Sequence, residues 1–179
     1  MNQRQGLPDH LFNYVSSITP LANVDIIIVD TSERFLLTWR DDGIYGPGWH
    51  VPGGIIRFKE SVSERIHQVC KHEAGCESYE SIRLVQINQV MNPTRDYRGH
   101  FISFLFIANL GKNHKLSDHY SLNSSSFNHG DKRWFKNPPV ELLPQHRRYL
   151  PVLHSLGNKC LPIEGNLLEQ YTELHEKDF

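Results

Sequence analysis

Cysteine and methionine are scarce in this chain: three and two in 179 residues. Cys70, Cys76 and Cys160 are too few and too irregular for a disulfide framework, and Cys70 and Cys76 lack zinc-knuckle spacing. Net charge is nearly absent as well. Nineteen basic residues face twenty acidic ones, giving −1. That excludes a global electrostatic case for nucleic acid or an anionic membrane. No apolar run reaches transmembrane length, and "MNQRQGLPDHLFNYV" lacks the basic-then-apolar layout of a signal peptide. Internal repeats and an interdomain linker are also missing. The expectation is a cytoplasmic protein with reduced thiols.

What is present reads as one domain over 1–157 and a helical tail over 158–179. "LPDHLFNYVSSI" has helical spacing, closed by Pro20. "LANVDIIIVD" is β-branched and apolar, which suits a buried strand; "TSER" is a turn and "FLLTWR" its hairpin partner. The spacing predicts a helix over 60–74 capped by Gly75. "SIRLVQINQVMN" and "HFISFLFIANL" are two further strands and "KRWFK" a brief one. "NPPVELLPQHRRYLPVLHSL" reads as a helix broken by prolines, and "NLLEQYTELHEK" as a weak amphipathic helix. The fold class is α/β (α+β): a mixed sheet with a helix on each face.

The chemistry concentrates in "GWHVPGGIIRFKESVSERIHQVCKHEAGCE". Gly53 and Gly54 let the backbone turn and present carbonyl oxygens without a side chain in the way. A carbonyl can ligate a hard cation, and a following helix can add carboxylates. Magnesium wants such oxygen ligands and bridges to substrate phosphates. The plainer alternative is a strand–turn–helix with a solvated acidic face.

Gly54, Glu60, Glu73 and Gly75 keep the spacing of the Nudix box. That box reads glycine, five residues, glutamate, seven residues, Arg-Glu, aliphatic, any, Glu-Glu, any, glycine. The chain resembles the Nudix hydrolases over roughly residues 18 to 150, with "WHVPGG" as lead-in. Local stretches are similar to the GDP-mannose mannosyl hydrolase branch. "TPLANVDIIIVD" resembles its N-terminal segment, "FLLTWR" its strand ending in a functional arginine, and "WHVPGG" its Trp-Phe-Val-Pro-Gly-Gly. "NHGDKRWF" resembles a late loop of that branch, placing His129 on the catalytic histidine.

The resemblance implies a Nudix-like sheet between helices and a magnesium-dependent hydrolase of a nucleoside diphosphate sugar. In it Gly53 (by its carbonyl) and Glu73 are magnesium ligands. His129 is the general base and Arg40 the phosphate clamp with a catalytic role. Asp25 and Arg57 join Arg40 in binding substrate. It also implies a homodimer through the N-terminal region.

Departures from the pattern are specific. Gln68-Val69 stands for Arg-Glu and His72-Glu73 for Glu-Glu. Phe127 stands for a loop glutamate and Ile55 for an arginine after the glycine pair. With Gln68 in place of the arginine, the salt bridge to Glu60 is not expected to form in the same way. Trp49 and Trp134 read as core or pocket wall, Tyr45 as a turn residue able to stack on a base, and Arg147 and Arg148 as a solvated face. Three readings stay open: a nucleotide-sugar hydrolase, a pyrophosphohydrolase on another nucleoside diphosphate derivative, and a non-catalytic binding domain.

Overall fold

The computed structural model describes residues 6–73, 75–112, 126–156 and 171–173. Among the described residues the first elements are helix α1 (Asp9–Ile18) and strand β1 (Leu21–Val29). Strands β2 (Phe35–Arg40), β3 (Gly48–His50) and β4 (Gly53–Ile55) precede helix α2 (Val62–Glu73). Then come β5 (Ser81–Met91), β6 (His100–Asn109), β7 (Lys132–Phe135), a 3-10 helix (Pro144–Tyr149), α3 (Leu150–Ser155) and β8 (Tyr171–Glu173).

The strands form one mixed sheet in the order β3-β2-β1-β6-β5-β8, with β4 on β1 and β7 on β2. β1 and β6 are parallel; β5 and β6 are antiparallel. β1 is the hub because it is apolar on both faces. Val24, Ile26 and Ile28 face Ile66, Val69 and Cys70 of α2. Ile27 and Val29 face Trp49, Leu105, Tyr149 and Val152. Burying each such aliphatic side chain contributes about 1.5–3 kcal/mol. Strand periodicity then puts Asp25 on the same face as Ile27, the face that meets the C-terminal helices.

Both ends of α2 are written in the sequence. Ser61 Oγ accepts from the Glu64 N–H at 3.1 Å while the Glu64 carboxylate accepts from the Ser61 N–H at 2.8 Å. This reciprocal box satisfies the first turn. At the other end Gly75 takes φ +68° and the Cys76 N–H donates to Cys70 O at 2.8 Å. Only glycine adopts that backbone cheaply.

The broken helix predicted after Asn137 is present as the 3-10 turn and α3, entered at Pro144 and Pro151. Most of the tail predicted as helix lies outside the described residues. At Tyr171–Glu173 a strand replaces it, running parallel to Gln89–Met91 of β5. The open edge of β5 supplies hydrogen-bond partners that a weakly apolar isolated helix lacks. Among the described residues no helix is long and apolar enough to cross a membrane.

Candidate active site

β2, β3, β4 and the C-terminal end of α2 open onto a cavity of about 580 Å³. Asp25, Arg40, Gly53, Glu73 and His129 all line it. Arg57 does not. It lies with Glu60, Arg65 and Gln68 along the flank of α2, in a neighbouring pocket of about 430 Å³. Glu73 and His72 line both cavities.

Asp25 forms the floor. It is 6% exposed, and its Oδ2 accepts from Ser103 Oγ and, at 2.6 Å, from the Tyr149 hydroxyl. Burial pushes its carboxyl above the ordinary value, and the Ser103 and Tyr149 hydroxyls pull it partly back. Its other oxygen sits against Gly53, its cross-strand partner. A Cβ at Gly53 would run into Asp25 Oδ1 and come within 2.9 Å of Val24 O. Position 53 therefore requires glycine for close approach.

Glu73 closes α2 beside this turn. Its Oε2 accepts from the Gly53 N–H at 3.1 Å and stands 3.7 Å from His50 Nε2. The Gly53 contact is thus through the amide, with the carbonyl on the same turn.

Arg40 ends β2. Its Nε and Nη2 donate to Asp42 Oδ2 at 2.7 and 2.6 Å, and its guanidinium lies 4.4 Å from the Tyr45 ring centroid. Tyr45 thus stacks on arginine. Asp42 also accepts from the Ile44 and Tyr45 N–H groups. Burial acts to raise its carboxyl, but the Tyr45 amide and the Arg40 guanidinium hold it below its usual value.

His129 is carried by a turn that docks on β2. Gly130 N donates to Trp39 O and Trp39 N to Asp131 O, at 2.9 and 2.7 Å. Its Nδ1 accepts from the Asp41 amide at 3.2 Å. A nitrogen that accepts carries no proton, so the neutral ring holds its hydrogen on Nε2.

Several residues were not legible as site components. Arg65 donates through Nε and Nη2 to Glu60 Oε2 at 2.9 and 2.7 Å, both side chains nearly buried. The salt bridge not expected with Gln68 is therefore supplied from one turn earlier on the same helical face. That i,i+3 relation to Gln68 was the available signal. Val69 is apolar because it packs into the core; a Cβ on Gly54 would lie 3.1 Å from its Cγ2. Phe127 joins Trp39 and Trp49 at ring distances of 4.9 and 4.8 Å, so it is partly buried and packs its segment against the core. Trp49 is core, as expected. Arg148 is bound to the backbone carbonyls of Gln145 and Gln89. Among the described residues no three His, Cys, Asp or Glu side chains gather closely enough to hold a metal.

The model of the NUDIX domain matches residues 19–152. The chain belongs to the Nudix family. Its sheet and flanking helices are the mixed α/β Nudix fold. No curated protein matches it. Among solved structures it is similar to a MutT NUDIX hydrolase from Burkholderia pseudomallei, at 19% identity and TM-score 0.56, covering 74% of this chain and 97% of that one. A MutT protein from Methanosarcina mazei Go1 is 20% identical at TM-score 0.53, covering 79% and 99%. The NUDIX domain of Shewanella oneidensis NrtR, complexed with ADP ribose, is 15% identical at TM-score 0.52, covering 84% and 96%. At these identities the likeness is one of fold.

Proposed function

We propose that this Nudix chain hydrolyses a nucleoside diphosphate sugar, of the GDP-mannose type, at the anomeric carbon. The observation that carries the reading is the convergence of Arg40, His129, Asp25, Gly53 and Glu73 on one cavity. Arg40 offers a guanidinium fork for the diphosphate oxygens. In doing so it exchanges Asp42 for phosphate.

Glu73, with 37% of its side chain exposed, and the Gly53 carbonyl fit a single magnesium held otherwise by water and substrate phosphate. Glu73 uses Oε2 for both contacts described above, and among the described residues no trio of His, Cys, Asp or Glu side chains gathers around it. The donor set suits a substrate-held ion rather than a protein cage. Bound there, the ion would neutralise the leaving diphosphate.

His129 is the base of this proposal. To accept a proton from water at Nδ1, it exchanges the Asp41 amide for that water. A 3.2 Å exposed hydrogen bond is weak enough for that exchange. His129→Gln is expected to lower kcat by about 10²–10⁴-fold, the usual worth of a general base. Arg40→Ala is expected to weaken substrate binding by about 2 kcal/mol, with poor rescue by lysine. Arg57, outside this cavity, is left to the flank of α2. A cytoplasmic location and a homodimer complete the proposal. The exposed Tyr14 and Ile18 of α1 support the dimer.

A second reading has support in the ADP ribose held by the NrtR domain: attack at phosphorus on another nucleoside diphosphate derivative. Turnover of a nucleotide-sugar panel in ¹⁸O-water with magnesium separates the two. Label in the free sugar, with intact nucleoside diphosphate, supports attack at carbon. Label in a phosphate product overturns it. No turnover of any member leaves the family's binding role in place of catalysis.

A further inference from the structure

We propose that His50 is a nitrogen ligand of the divalent-ion site, beside Glu73, and that it tilts the site from magnesium toward imidazole-binding ions. This rests on the reading of Glu73 as a metal ligand. The residue itself is not part of that reading. His50 stands where the similar branch has phenylalanine, between Trp49 and Val51.

The geometry has three parts. First, His50 Nδ1 lies 2.8 Å from Thr38 O. A carbonyl can only accept, so Nδ1 carries hydrogen whatever the charge of the ring. The neutral ring therefore keeps its lone pair on Nε2. Orientation of a ligating imidazole by an N–H to a backbone carbonyl is the usual outer-sphere arrangement of metal-bound histidine.

Second, a carboxylate stands close to that nitrogen. Nε2 and Glu73 Oε2 are 3.7 Å apart, too far for a hydrogen bond. Two donors at about 2.1 Å from one ion, at ordinary ligand angles, stand about 3–3.5 Å apart. A small closure of the pair brings both onto one ion. Lone pair against anion is repulsive until a positive charge, a proton or a metal ion, comes between them.

Third, the pair is in the right place. Both side chains line the cavity, the Gly53 turn lies beside Glu73, and the His50 side chain is 13% exposed against 37% for Glu73. Thr38 Oγ1 lies 3.1 Å from Nε2 and 3.2 Å from Nδ1, and its hydrogen can turn away when an ion takes the lone pair. His146 packs edge-on at a ring distance of 5.8 Å and backs the ring. Two side chains and a carbonyl fall short of the three side chains of a protein cage, and substrate phosphate and water complete the shell.

Carboxylate, carbonyl and water suit magnesium and manganese, while imidazole suits cobalt, nickel and zinc. The test is pulsed electron paramagnetic resonance of Mn²⁺ with GDP on the full chain, with calorimetric titration of Mg²⁺ and Co²⁺. Expected is an imidazole ¹⁴N modulation on Mn²⁺ that disappears in His50→Phe and His50→Gln. Co²⁺ affinity should fall about tenfold or more in those variants, at least what the loss of an outer-sphere partner alone causes, with Mg²⁺ affinity within about twofold. Mn²⁺ that binds without nitrogen coupling overturns the role of His50 and leaves that of Glu73 standing. So does a coupling that persists in both His50 variants, or one removed by His72→Gln instead. A wild type that binds no Mn²⁺ overturns the reading of Glu73 and this one with it.

Discussion

The two glutamates that bracket α2 come from one short stretch of sequence and do opposite work. Glu60, before the helix, is 11% exposed at its side chain and held three ways. It accepts twice from Arg65 and once, at 2.8 Å, from the Arg57 amide. Glu73, at the far end, is 37% exposed and meets one amide at 3.1 Å and one imidazole at 3.7 Å. Identical carboxylates become a buried rivet and an open acceptor at a cavity wall. The difference lies in what surrounds them. A charge taken from water must find full compensation, whereas a charge at a cavity wall is free to take a substrate or an ion.

The sharpest way to break this contrast is to remove Glu60. Glu60→Ala should destabilise the fold by about 3–5 kcal/mol, because it leaves Arg65 charged and nearly buried without its partner. Denaturant unfolding measures it. A double variant, Glu60→Gln with Arg65→Met, should recover much of the loss. A loss under about 1 kcal/mol in Glu60→Ala would make both glutamates alike.

The complementary substitution, Glu73→Gln, should change stability by less than about 1 kcal/mol, as surface substitutions do. Turnover should nonetheless fall by about 10²–10³-fold, the scale of a lost electrostatic contact to the transition state. Full turnover in this variant would remove Glu73 from the site.

The smallest effect concerns the buried face of the same helix. Burial pushes the Cys70 thiol up to about 12, with Cys76 nearby adding to it, and burial pushes Cys76 up to about 11. Their ordinary value is 9.0, so the unfolded chain ionises first as pH rises. Stability is therefore intact below pH 9 and declines through the window up to those raised values. Thermal melts at pH 8 and 10 should show a steeper decline for wild type than for Cys70→Ala with Cys76→Ala. Labelling at pH 8 followed by peptide mapping should leave Cys70 and Cys76 unmodified in the folded protein, since only the thiolate reacts.

Sequence by itself determined a great deal here. The apolar run of β1, the Ser61–Glu64 box and the glycine at position 75 each act within a few residues, so local chemistry settles strand, helix start and helix stop. Glutamate at 73 was readable as a candidate because box spacing is a linear property, and glycine at 53 because it lies in the Pro-Gly-Gly lead-in. Only the tertiary structure decided which partners these residues meet. Arg65 takes the place expected of position 68 because both lie on one helical face that folds over Glu60. Phe127 becomes an anchor because two tryptophans from other strands reach it. Arg57 leaves the site because the turn after β4 carries it to the flank of α2. Ser103 and Tyr149 come to Asp25 from 78 and 124 residues away. A side chain's burial and hydrogen-bond partners depend on segments distant in the chain, and no periodicity or spacing within one segment encodes them.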